Sequence, residues 1–132
     1  MRRIFRLAAA GLLTLSAVAT AQGARPALLE RVQPGSWTLH EIGSKGRDRS
    51  ICVRDVGALL QIHHGTAACS RFIVSETARA ATVQYSCPGQ GYGRTTVTLE
   101  SPSLVRIQTQ GLATGAPFDV DYEARRGGRC AS

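Results

Sequence analysis

Aromatic side chains are scarce in this sequence and lysine is almost absent. Beyond Phe5, the only large rings are Trp37, Phe72, Tyr85, Tyr92, Phe118 and Tyr122, and Lys45 is the sole lysine. So few rings limit the apolar mass available to a core, which then needs covalent help. Apolar runs are also short. None beyond the first 21 residues approaches the ~20 residues that a spanning helix requires, which excludes stable membrane insertion by a helix of the mature chain. The arginines are spread along the chain and form no basic stripe interleaved with aromatics, so a nucleic-acid partner is excluded as well. No serine stands in a Gly-x-Ser-x-Gly turn, and Ser70 and Ser86 read as ordinary strand serines beside cysteines.

What is present begins with Met1-Arg2-Arg3-Ile4-Phe5-Arg6, a basic start followed by an uncharged Leu/Ala-rich run to Val18 and by Ala19-Thr20-Ala21. That is the pattern of a secretory signal cleaved after Ala21. The expected organisation is a signal peptide over 1–21, a leader over 22–33, and one domain over 34–132. Removing Arg2, Arg3 and Arg6 leaves 13 basic residues against 9 acidic ones, a net charge of +4 where the full chain carries +7. An exported chain with an even set of four cysteines is expected to form two bridges in the oxidising periplasm. Each contributes about 2–4 kcal/mol by restricting the unfolded chain.

Period-2 patterning dominates the domain and predicts a mainly β fold, an antiparallel up-and-down meander of about seven strands, curved or barrel-like. The first hairpin is expected to place Leu39 opposite Ile51 and Trp37 opposite Val53, across a turn at Gly43 to Gly46. Between strands two and three, Asp55 caps a short helix with Val56, Leu59, Leu60 and His63 on one face and Gly65 at its end. Further strands are expected over Phe72–Ser75 and Ala80–Cys87.

Loops centred near Gln90, Pro102 and 111–117 then align three transverse apolar rows. The first is Val83, Val97, Ile107 and Val120. The second is Ala81, Leu99, Val105 and Tyr122, and the third is Tyr85, Thr95, Thr109 and Phe118. Thr82, Gln84, Thr96, Thr98, Arg106, Gln108, Asp119, Asp121 and Glu123 fall on the opposite, wet face. Cys69 and Cys87 are equidistant from the turn near Ala78, which favours Cys69–Cys87 with Cys52–Cys130. That register turns Phe72 and Val74 outward unless a bulge lies near Arg71, and Cys52–Cys69 with Cys87–Cys130 stays open.

The order Pro34-Gly35-Ser36-Trp37, Cys52, Cys69, Cys87 and Gly128-Arg129-Cys130 resembles a family of small periplasmic proteins of Gram-negative bacteria classified as a domain of unknown function. The resemblance implies the compartment and the fold. It brings no activity, ligand or catalytic residue.

Candidate sites weigh against catalysis. His63-His64, with His40 as a third ligand, would be the start of a metal site, but neighbouring helical residues diverge by about 100° and bridged cysteines offer no thiolate. The Gly89-Gln90-Gly91-Tyr92-Gly93-Arg94-Thr95-Thr96 stretch lacks the lysine and following helix of a phosphate loop and reads as a hairpin. Asp119, Asp121 and Glu123 read as a solvated charge ladder, with Arg106 opposite Asp121 and Arg125 nearby. No cofactor, metal or catalytic residue is expected.

The expected function is a non-enzymatic envelope protein with a stress-related accessory role or a binding role, its ligand an apolar small molecule in a cavity lined by Trp37, Val97, Ile107 and Phe118, or an envelope protein as partner. The alternatives are an inhibitor or partner-binding module and, last, a hydrolase. An open cavity favours the small ligand, whereas a filled interior with exposed surface around Tyr92 favours a partner.

Overall fold

The computed structural model of the chain describes residues 24–131. The segment 1–21, read as a signal peptide, lies outside them. Seven strands form one sheet: β1 (Gly35–Glu41), β2 (Arg49–Val53), β3 (Ser70–Glu76), β4 (Ala80–Cys87), β5 (Gly91–Ser101), β6 (Leu104–Ala113) and β7 (Ala116–Gly128). Their order is β2-β1-β7-β6-β5-β4-β3, with every neighbouring pair antiparallel. This is an up-and-down meander in which β1 returns beside β7, and the sheet is left open between β2 and β3.

Six antiparallel steps separate β2 from β3, so these two edge strands run in the same direction and no tight hairpin can join them. The connection instead returns across the inner face as two short 3-10 helices, η2 (Val56–Leu60) and η3 (Ile62–His64). The carbonyl of Leu60 there accepts a hydrogen bond from Thr95 Oγ1 of β5 at 2.8 Å.

All three expected apolar rows lie on the inner face, but two of the registers differ from expectation. Pairing of β5 with β6 is as expected, with Val97 opposite Ile107 and Leu99 opposite Val105. Across β4–β5 and β6–β7 the partners are displaced by two residues, which gives the rows Val83-Thr95-Thr109-Val120 and Ala81-Val97-Ile107-Tyr122. The first hairpin is displaced likewise, with Trp37 opposite Ile51 and Leu39 opposite Arg49. A shift of two leaves every side chain on its own face, so the alternation tolerates it. Turn geometry decides the register instead. Thr114 (φ 48°) and Gly115 (φ 83°) form a two-residue turn with both centres left-handed.

The bulge expected near Arg71 is absent there. The register of β3 on β4 instead shifts between Ile73 and Ser75, and Phe72 and Val74 stay outward.

A continuous helix from Asp55 to Gly65 is not what forms. Asp55 does cap, its carboxylate accepting from Gly57 N–H at 2.9 Å, and Gly65 ends the segment at φ 54°. The chain breaks between them at Gln61 (φ −139°, ψ 42°). Its buried amide donates to the carbonyls of Gly65 and Ala67 at 3.0 and 2.9 Å, and its oxygen accepts from Arg71 of β3. A side chain thereby supplies the bonds that a longer helix would have made. A third 3-10 helix, η1 (Ala27–Arg31), occupies the stretch read as a leader and buries Leu28 and Leu29, followed by Val32.

The interior is full. Leu28, Leu29 and Val32 from the N-terminal stretch and Val56, Leu59 and Leu60 from the crossover pack with Trp37, Leu39, Val53, Val83, Val97, Val105 and Ile107 in one cluster. Trp37, Val97, Ile107 and Phe118, the expected lining of a cavity, lie on the face that η1 and η2 cover. The first three are fully buried, and Trp37 Nε1–H donates to the carbonyl of Gln33 at 3.0 Å. Cys52–Cys130 ties β2 to the end of the chain, and Cys69–Cys87 joins the start of β3 to the end of β4. Two bridges mark a protein matured in an oxidising compartment. No helix among the described residues is long and apolar enough to cross a membrane.

Candidate functional site

The histidines sit at one end of the sheet, where η3 meets the β4–β5 and β6–β7 turns. His64 is buried, with its Nδ1 3.0 Å from Tyr85 Oη and its Nε2 3.1 and 3.0 Å from the carbonyls of Gln90 and Leu112. Carbonyls only accept, so Nε2 carries the proton and Nδ1 accepts from the tyrosine hydroxyl in the neutral ring. The ring also stands edge-on to Tyr85 and Phe118. His63 stacks on Phe118 at 4.3 Å, with Tyr122 Oη 3.3 Å from its Nε2.

Burial, with Arg49 and His64 adding to it, holds the His63 imidazole below its ordinary range. Burial likewise raises the Tyr85 and Tyr122 hydroxyls. Both rings of the pair are committed to fastening the crossover to the sheet. His40 is elsewhere, 2.7 Å from Asp48 on the exposed hairpin. No group of three metal-ligating side chains occurs among the described residues.

The remaining candidates resolve into strand positions. Gly89 to Thr96 forms the β4–β5 turn and the start of β5. Gly93 pairs with Gly111 in a row flanked by Tyr85 and Phe118, and a Cβ on Gly93 would collide with the Tyr85 ring. Arg106 lies opposite Glu123 in register, not opposite Asp121. It reaches Asp121 diagonally with two bonds of 3.1 and 2.7 Å, while Arg125 pairs with Glu123. Ser70 and Ser86 are cross-strand partners on the exposed outer face.

That outer face holds a grouping that reasoning from sequence missed. Phe72 is 56% exposed and Tyr92 55%, on strands separated only by β4. Phe72 begins a transverse row that continues through Gln84, Arg94, Gln110 and Asp119 across five strands. Tyr92, one row away opposite Ser86, divides two grooves. One, of about 290 Å³, lies between Phe72 and Tyr92 over Ser70, Gln84 and Ser86. The other, of about 390 Å³, lies beyond Tyr92 over Arg94, Gln110, Phe118 and Asp119. The available signal was that Phe72 and Val74 fall on the polar parity of β3, which reads equally as a bulge or as an exposed ring.

Comparison with family models, curated proteins and solved structures finds no match to this chain.

Proposed function

We propose that this is a non-enzymatic binding module of the bacterial periplasm that engages an envelope component on the outer face of β3–β5. One observation carries the reading: the interior is filled by its own chain, while Phe72 and Tyr92 are left more than half exposed beside two grooves. Exposed aromatics clustered on one face, where burial would otherwise contribute to stability, mark an interaction surface. The secretory pattern of residues 1–21 and the two bridges support export. The Pro34-Gly35-Ser36-Trp37 to Cys130 motif order supports grouping the chain with small periplasmic proteins.

The test is co-sedimentation of the purified mature protein with isolated cell envelopes. Wild type is expected in the pellet, and the Phe72→Ala/Tyr92→Ala double variant in the supernatant with an unchanged melting temperature. Equal pelleting of the two proteins, or wild type left in the supernatant, overturns the reading.

A further inference from the structure

Resting on that outer-face reading, we infer that the occupant of the two grooves is an uncharged glycan chain, lying across β3–β5 with a sugar ring stacked on Tyr92.

The side chains that floor the grooves select for this chemistry. Gln84, Gln110, Ser70 and Ser86 surround the rings. An amide both donates and accepts, as a hydroxyl does, so this lining matches a ligand whose polar groups are uncharged hydroxyls and amides. Formal charge in the row is balanced, one guanidinium at Arg94 against one carboxylate at Asp119 two strands away. Charge complementarity therefore favours neither a polyanion nor a polycation. Arg94 also differs from Arg106, further along the same outer face. The latter is committed to Asp121, whereas Arg94 has no ion pair among the described residues and keeps its five donors for a ligand.

The aromatic rings supply the other half. Tyr92 and Phe72 are rings more than half exposed, and an aromatic face carries the negative quadrupole density that attracts the polarised C–H bonds of a pyranose face. They stand on β5 and β3, two strand spacings and one row apart, which puts their backbones about 12 Å from each other, the reach of roughly two sugar units in an extended chain. The larger groove, about 390 Å³, falls at the lower end of the ~300–1,000 Å³ of small-ligand sites. Two such grooves side by side suit a chain better than a single compact molecule. Exposed rings beside an arginine also occur at protein interfaces, so a protein occupant is the contrary outcome of the test.

The experiment titrates cellohexaose and chitohexaose into isotope-labelled mature protein and follows backbone amide resonances. Saturable shifts are expected at Phe72, Gln84, Ser86, Tyr92, Arg94 and Gln110, with affinity falling at least tenfold in Tyr92→Ala and being insensitive to added salt. Absence of shifts with both probes overturns the inference, as do shifts unaltered in Tyr92→Ala. Binding confined to polygalacturonate and abolished by salt also overturns it. If the probes fail while envelope co-sedimentation still requires Phe72 and Tyr92, the glycan falls and a protein occupies the face. If both fail, the outer-face reading falls too.

Discussion

Tyr85 Oη and His64 Nδ1 lie 3.0 Å apart in the buried end of the sheet, joining the crossover to β4. Tyr85→Phe keeps the ring over Gly93 but leaves the imidazole nitrogen with no proton to accept. An unsatisfied buried acceptor costs about 1–3 kcal/mol, and for a domain of this size each kcal/mol lowers the melting temperature by about 5 °C. Thermal unfolding of Tyr85→Phe is therefore expected several degrees below wild type. Tyr122→Phe, which loses only the longer 3.3 Å contact to His63, is expected to lose less. An equal loss in the two variants would contradict the clasp.

Acid sensitivity follows from His63. Burial, then Arg49 and His64, holds its folded pKa below the ordinary value of 6.5. Between those two values the unfolded chain binds more protons than the folded one. The contribution is thus fully present above about pH 6.5 and is lost as pH falls toward the folded value. Melting temperatures taken from about pH 7.5 down to 5 should decline. His63→Phe, which retains a ring against Phe118, should flatten that decline, and an identical slope in the variant would refute the assignment.

The two bridges are expected to differ in worth. Cys52–Cys130 closes a separation of 78 residues and Cys69–Cys87 one of 18. Chain-entropy scaling makes the longer loop worth about 1 kcal/mol more. Denaturant unfolding of Cys52→Ser/Cys130→Ser should accordingly show the larger loss, and of Cys69→Ser/Cys87→Ser the smaller. The reverse order would show that native-state packing outweighs loop closure here.

The alternation of β4 to β7 was readable because burying one face of a sheet forces period 2, and that places Val83, Val97, Ile107 and Tyr122 inward whatever their exact partners. Partner identity was not readable. It depends on turns such as Thr114-Gly115, where a β-branched residue sits at positive φ and gives no recognisable signature. The contents of the interior were hidden for a different reason. Leu28 and Leu29 come from a short 3-10 segment with too few turns for a period to show, and the periodic face of Leu59 and Leu60 gave no sign of which side of the sheet it covers, so the concave face looked vacant. At the candidate site, Phe72 was visible only as an exception to the pattern, and Tyr92 only as a ring in a hairpin. Their grouping with Gln84 and Arg94 required the pairing of three strands.

Hydrogen exchange of the mature protein, alone and in the presence of isolated envelopes, tests most directly whether the outer face is the working surface. Slower exchange is expected in the peptides spanning Ser70–Glu76 and Gln84–Arg94, with β1 and β2 unchanged. Protection confined to β1 and β2, or no protection anywhere, would contradict the account.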